Sequence, residues 1–373
     1  MATLDEEIEQ IVLEVNRLAS LESKLTGFCI GNTRKINDTG LYFSPLRRTS
    51  RLIAGSAIVY DVSQAVAVAR AVDGMVDYVL VDTEKKISTE LYGADNVGNV
   101  ERAVRETVKH SRVLAYKGND LTVDSIENLI VQILSTHPRG LSGKRAAIIG
   151  AGNVGSKLAL KLVERGMDVS LIRRDRVKLA AIVTALNIIK PAETIAKVTA
   201  GEDNLSIAQG ADLLVGLTQG IPVITIAMID ALAHGAVLLD GGKGCCEQEA
   251  IRRAQEKDIP VYRADIRPGF EGHMGMVLET ERIVEYALGR TEFDAVPVVS
   301  GGLLARPNEV VVDSIADPHA VFGIANGLGD FVRVLDNNQA HRLQVVHDYI
   351  LRKRGAKNVR NHTGIFERHS TSQ

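Results

Sequence analysis

From Arg145 to Ile149 the chain is an apolar strand pattern, and Gly150-Ala151-Gly152-Asn153-Val154-Gly155 follows it directly. A helical pattern over Val154–Arg165 leaves that turn, and a second strand pattern, Asp168–Ile172, returns. A G-x-G-x-x-G is a weak signal alone. Set between a strand and a helix within a ~30-residue βαβ unit, it becomes a dinucleotide-binding fingerprint. Each glycine answers its own steric demand. Gly150 allows the tight turn, Gly152 lets the backbone approach a pyrophosphate, and Gly155 lets helix and strand pack closely. Unpaired backbone N–H groups and the helix dipole then face the phosphates. The segment therefore requires a parallel α/β sheet, with cofactor contacts expected from Gly150, Gly152, Asn153, Val154 and Gly155.

The end of the second strand bears on which dinucleotide binds. An NAD site usually carries an acidic residue there to hold the ribose hydroxyls. Here the position falls near Arg173, with Arg174, Asp175, Arg176 and Lys178 following. Arg173 and Arg174 suit a 2′-phosphate and point to NADP; Asp175 is the alternative, for NAD. Thr218 and Gln219, after the strand Asp212–Leu217, and Gly241, after the strand Ala236–Leu239, belong to the rim where ligands lie beyond strand ends.

The rest of the chain repeats the α/β rhythm. Thr3-x-x-Glu6 is a capping-box pattern, and Ile8, Ile11, Val12, Val15 and Leu18 predict an amphipathic helix over residues 4–21. Strands are predicted at Phe28–Ile30, Leu52–Tyr60, Asp77–Val81 and Val113–Tyr116, and helices at Ser63–Val72, Asn99–Lys109 and Val123–Leu134. Pro138, Gly140 and Gly143 break this series, so a domain boundary is placed at residues 136–143. Beyond it come Ile226–Ala233 (helix), Glu247–Glu256 (helix) and Val261–Ala264 (strand), and Arg267–Gly275 reads as a Gly-rich loop. Val296–Ser300 and Val310–Asp313 read as strands, Pro318–Leu335 as the start of a helical region, and Ala340–Arg352 as a closing helix. The expected architecture is an N-terminal α/β substrate domain (1–138), a Rossmann-type doubly wound NAD(P)-binding domain (139–295), a C-terminal helical return whose strands and helices pack back on the domains (296–352) and a basic mobile tail (353–373).

Composition narrows the function. Lys+Arg 44 against Asp+Glu 46 gives a net charge of −2. From Arg352 onward, six basic residues and one acid give the tail +5, which leaves −7 for the rest. Nucleic-acid binding is therefore not expected of the body, and the tail reads as a solvated extension. Three cysteines, two of them adjacent, make no disulfide framework, so a cytoplasmic setting is expected. The acidic N-terminus lacks signal-peptide features, and the longest uncharged run, Leu213–Ile229, contains Gly216, Gly220 and Pro222; no membrane span is expected.

Lys117-Gly118-Asn119-Asp120, a helix, Leu141-Ser142-Gly143-Lys144-Arg145 and then Gly150-Ala151-Gly152 resemble the shikimate dehydrogenase family and similar two-domain amino-acid dehydrogenases. There a Gly-x-Asn-Thr-Asp stretch precedes the linking helix and the nucleotide fold. The order of elements over roughly residues 110–265 is also similar to methylene-tetrahydropterin dehydrogenases and glutamyl-tRNA reductases. The resemblance implies a catalytic Asp at Asp120 and an interdomain cleft; the family's Asn-Val/Ile-Thr-x-Pro-x-Lys motif has no clear counterpart.

Catalytic candidates follow from chemistry. Lys117 could donate a proton to a carbonyl or imine with Asp120 holding it, although Asp120 or Thr122 could instead cap a helix. His273 is a further acid/base candidate. Cys245-Cys246 lies at a helix start, where a thiolate is stabilised. A thioester mechanism would need Cys29, which reads as core. Asn32 and Arg34, in Gly31-Asn32-Thr33-Arg34, and the pair Arg47-Arg48 are candidate substrate anchors. The expected function is an NADP(H)-dependent oxidoreductase, expected to be homo-oligomeric, passing hydride to or from a small carbonyl, imine or amino/hydroxy acid. The alternatives are a methylene-tetrahydropterin-type dehydrogenase and a non-catalytic dinucleotide sensor.

Overall fold

The computed structural model describes residues 3–33, 41–84, 99–134, 140–218 and 220–354. Arg34, Gln219, part of the boundary at 136–143 and the basic tail beyond Arg354 lie outside these residues. The chain divides into two compact units, Met1–Met274 and Gly275–Gln373.

The first unit opens with helix α1 (Leu4–Glu22), whose capping box closes between Thr3 and Glu6. Its buried stripe is Ile8, Val12, Val15, Leu18 and Ala19. There follow β1 (Leu25–Asn32), β2 (Tyr42–Phe43), β3 (Arg47–Arg48), β4 (Leu52–Val59), α2 (Val62–Val72), β5 (Tyr78–Asp82), α3 (Val100–Thr107), β6 (Arg112–Tyr116) and α4 (Gly118–Leu134). Strands β4-β1-β5-β6 pair in parallel, and the two short strands β2 and β3 add antiparallel to β4. Residues 28–32 of β1 are all buried, as expected of a central parallel strand covered on both faces.

The second half of this unit comprises β7 (Arg145–Ile149), α5 (Asn153–Glu164), β8 (Asp168–Ile172), α6 (Arg176–Ile189), β9 (Val198–Ala200), α7 (Asn204–Ala208), β10 (Leu213–Gly216), α8 (Ile226–Ala231), β11 (Val237–Asp240), α9 (Gln248–Glu256), β12 (Val261–Arg263) and α10 (Arg267–Arg282). The sheet order is β12-β11-β10-β7-β8-β9, parallel throughout. With its strands counted from β7, this is the 3-2-1-4-5-6 order of the doubly wound Rossmann fold.

Two expectations are corrected here. Residues 267–275 are not a loop but the first half of α10. Gly269, Gly272 and Gly275 recur every third residue, and Gly269 lies against α4. A Cβ there would fall 2.3 Å from the Leu121 carbonyl oxygen, and its N–H donates to Ser125 Oγ at 2.9 Å. The glycine serves helix approach, not a turn. In the second unit, Pro318–Leu335 does not begin a helical region. Strands β13 (Arg290–Phe293), β14 (Val296–Ser300), β15 (Val310–Val312) and β16 (Val321–Ile324) form a sheet in that order, and α11 (Asn337–Arg354) packs its Val346 and Ile350 into the same core. Gly327 and Gly329, at φ +79° and +92°, turn the chain after β16. The expected strands at 296–300 and 310–313 are present, and the return is a sheet with one helix.

Candidate functional site

The turn between β7 and α5 has the stereochemistry that its sequence demands. Gly150 sits at φ +111°, and a Cβ there would fall 2.5 Å from the Leu217 carbonyl oxygen. A Cβ on Gly155 would fall 2.2 Å from the carbonyl oxygen of Gly150. At Gly152 a Cβ would meet nothing within 4 Å, so that side of the turn is open. Gly152 is also the N-cap of α5 and offers no side-chain cap. The first N–H groups of α5 are thus left for an anion at the positive end of the helix.

A cavity of about 960 Å³ opens on one side of this turn, lined by Gly150–Gly152, Arg173–Arg176, Asp203–Leu205, Thr218, Ile221, Val223 and Met228 among others. Arg173 directly follows β8 and donates from Nη1 to the Ala151 carbonyl at 2.9 Å, so it lies over the glycine turn. Arg174 is exposed at the same cavity. Arg176 is held by the carbonyls of Gly201 and Glu202. Asp175, the alternative ribose partner, caps α6 by accepting from the Lys178 N–H at 3.0 Å, a bond that holds its carboxyl below its usual range. Arg173, Arg174, Asp175 and Arg176 all line this cavity. A dinucleotide fits these residues, with Gly152 as its cradle.

A second cavity, about 490 Å³, lies between the carboxyl ends of the two parallel sheets of the first unit. One wall carries Asn32, Arg47, Asp82 and Tyr116, and the other carries Gly150, Gly152–Gly155, Leu217, Gly241 and Lys243. Asn119 Nδ2 spans it, donating to Asn153 Oδ1 at 3.3 Å. Asp82 and Glu84 cap α4 from across the loop, accepting from the N–H groups of Gly118 (3.3 Å) and Asn119 (3.0 Å). Asn32 is buried and donates to the Asp82 carbonyl at 3.0 Å, while its Oδ1 has no hydrogen-bond partner. Burial pushes the Tyr116 phenol well above its usual pKa, with nearby Cys29 and Asp82 adding to the rise. Lys243 stands exposed at the rim at φ +58°.

The structure does not bring Lys117 and Asp120 together. Asp120, in the first turn of α4, pairs with Lys157 of α5, and Lys117 is exposed; neither lines the cleft. Asp120 opens a ladder between the two helices. Lys161 pairs with Asp124 (3.2 Å) and with Glu127 (2.6 Å), and Arg165 closes on Glu127 at 2.7 Å. Burial disfavours the charged Glu127, but the bonds from Lys161 and Arg165 outweigh it and hold the carboxyl below its usual range. Thr122 bonds back to the Gly118 carbonyl at 2.9 Å. His273 lies on α10 with its Nε2 buried and unpartnered, and lines neither cavity. Of the cofactor candidates, Gly150 and Gly152 line both cavities; Arg173, Arg174 and Thr218 line the first, and Asn153, Val154, Gly155 and Gly241 the second.

Cys29 and Cys246 are not poised as nucleophiles. Burial pushes the Cys29 thiol up to about 11. Burial, helped by Asp240 and Cys245, pushes Cys246 up to about 12. Cys246 directly precedes Glu247, the N-cap of α9. Sequence reading passed over Lys243 and Tyr116, because only the pairing of the two sheets brings them to one cleft.

Fold and site define an α/β protein whose Rossmann sheet presents a glycine turn to two cavities at once. Residues 145–219 match the family model described as NADP oxidoreductase, coenzyme F420-dependent. The chain thus carries a nucleotide-binding unit of the NAD(P) oxidoreductase type. It is 34% identical over 104 residues to the adenosylhomocysteinase of Acinetobacter baylyi, a stretch covering 27% of this chain and 22% of that protein. The match therefore spans about a fifth of that curated relative's length. Among solved structures, the L-tryptophan dehydrogenase of Nostoc punctiforme overlaps at TM-score 0.40 and 16% identity, over 66% of this chain and 72% of that one. The glutamate dehydrogenase of Thermus thermophilus overlaps at TM-score 0.39 and 15% identity, over 70% of each chain. Overlaps this loose say nothing of the reaction. Among the described residues, no helix is long and apolar enough to cross a membrane.

Proposed function

We propose that the protein is an NADP(H)-dependent oxidoreductase acting on a small polar substrate in the cleft between its two parallel sheets. One observation carries this reading: Gly150, Gly152 and Leu217 line both the arginine-rimmed cavity and the polar cleft. A dinucleotide with its phosphates on this turn would reach both. Arg173 and Arg174 would hold the 2′-phosphate, and the N–H groups of Asn153, Val154 and Gly155 the pyrophosphate. When bound, the nicotinamide supplies or accepts a hydride. The chain's own part is to position the substrate and to move a proton. Lys243 Nζ, at the rim of the cleft with no carboxylate partner among the described residues, gives a proton to the substrate's carbonyl oxygen or imine nitrogen on reduction, and takes it back on oxidation. Asn119 and Asn153 close the cleft over the substrate.

Calorimetry with NADPH and NADH tests the cofactor assignment. NADPH should bind more tightly, and replacing Arg173 and Arg174 together by Ala should erase most of the preference, worth ~1.5–3 kcal/mol for a charge-assisted bond. NADH affinity should change little. Equal affinities in the unmodified protein would move the assignment to NAD.

A further inference from the structure

We propose that the cleft is a carboxylate site in which Arg47 takes the carboxyl group of a small 2-hydroxy or 2-amino acid. The substrate class rests on the oxidoreductase reading above; the anion site itself stands on the geometry of the N-terminal sheet.

Arg47 is rigidly presented. It lies on β3, which pairs antiparallel with β4 through Arg47–Ala54 and Arg48–Ile53. Its guanidinium lies 5.1 Å from the centre of the Phe270 ring, and Phe270 is itself buried. Ser50 donates its N–H to Glu271 at 2.9 Å, which ties the end of this segment to the same helix, α10. Strand pairing and tie hold the backbone that carries Arg47, and its guanidinium rests against the Phe270 ring, an arrangement that lowers the entropic cost of binding.

The same arginine lacks the partner that burial normally demands. Its Nε is buried with no hydrogen-bond partner, and no carboxylate among the described residues forms an ion pair with it. Its neighbour on the strand behaves differently: Arg48 turns to Glu22, at 3.5 Å. Asp82 lines the same cleft but is engaged at the N-terminus of α4 and with the Glu84 N–H. A partly buried guanidinium without an anion is costly, and a carboxylate offers it two parallel bonds. Arg47 is also near enough to Cys29 and Tyr116 for its charge to oppose the rise in their pKa values, which puts its field inside the cleft wall.

The second polar vacancy in that wall fits the group next to the carboxyl. Asn32 Oδ1 is a buried acceptor with no donor, since its amide nitrogen is spent on the Asp82 carbonyl. A hydroxyl or amino group on the 2-carbon supplies that donor. The volume of about 490 Å³ suits a small molecule.

The test titrates the full-length protein by ligand-observed NMR with a panel of 2-hydroxy and 2-amino acids, from glycolate to phenyllactate and from glycine to phenylalanine. Each is run beside its carboxamide, and inorganic phosphate is the competing anion. At least one acid should bind about 10-fold or more tightly than its amide, the loss expected when a charge-assisted pair is removed. Arg47→Met should abolish that preference, and Arg47→Lys should restore part of it, because a point charge lacks the planar fork. NADPH affinity and circular dichroism should match the unmodified protein in both variants. The proposal is overturned if no acid binds, if amides bind as well as acids, if phosphate binds more tightly than every acid, or if the preference survives Arg47→Met. Absence of NADPH binding in the unmodified protein would instead sink the oxidoreductase reading while leaving the carboxylate result to stand alone.

Discussion

Gly152→Val should fold as the unmodified protein does and lose its dinucleotide. The backbone at Gly152 is extended, at φ −94° and ψ −159°, so a branched side chain is tolerated there. A Cβ would meet nothing within 4 Å, so no packing is lost. The cost to the fold is that of a poorer N-cap, about 1 kcal/mol. The added methyl groups would occupy the space that a pyrophosphate needs beside the first turn of α5. Losing two phosphate-directed bonds at ~1.5 kcal/mol each amounts to a fall in NADPH affinity of about 100-fold or more. Gly155→Val serves as the contrast. Its Cβ would lie 2.2 Å from the Gly150 carbonyl oxygen, so that variant should lose the fold itself. Thermal unfolding followed by calorimetric titration separates the two outcomes. Wild-type NADPH affinity in Gly152→Val would remove the turn from the cofactor site.

Lys243→Met should cut turnover about 10²–10⁴-fold, the usual loss when a positioned acid/base is removed. NADPH affinity should change little, because Lys243 lines the cleft and not the arginine-rimmed cavity. Asp120→Asn provides the comparison. Its carboxylate pairs with Lys157 and both side chains are 40% exposed, so the substitution removes a solvent-screened pair worth under about 1 kcal/mol. Turnover should stay near that of the unmodified protein. Unchanged turnover in Lys243→Met, with a loss in Asp120→Asn, would return the proton to the residue that the family resemblance suggests.

The nucleotide half of the fold was legible because its signals are local. A strand, three glycines at fixed offsets and a helix start all lie within a dozen residues, and Arg173 sits where the second strand ends. The rim after β10 and β11 could be placed for the same reason. Other features depend on contacts distant in sequence. Asp120 carries the right residue type at a strand–helix junction, yet its partner was set by the packing of α4 on α5, which no spacing within residues 117–120 encodes. Arg47 could be named as an anion anchor but not distinguished from Arg48. Only the pairing of β3 with β4 sends one to Phe270 and the other to Glu22. The glycines of α10 misled for a physical reason: a glycine that admits a neighbouring helix reads, in sequence, like one that makes a turn. Gly327 and Gly329 posed the opposite problem, since turn glycines read as breaks within a helical pattern.

The central claim, that a hydride passes between the cofactor and a small molecule held in the cleft, is tested most directly by isotope transfer. The full-length protein would be incubated with NADPH carrying deuterium at the nicotinamide C4 position and with the filtered small-molecule fraction of a cell extract. Mass spectrometry would then follow the label. The account predicts protein-dependent deuterium on the 2-carbon of a small hydroxy or amino acid, reduced by Lys243→Met and absent with Gly152→Val. NADPH that binds with the expected affinity while no small molecule gains the label would contradict it, and would leave a nucleotide-binding protein without a hydride-transfer reaction.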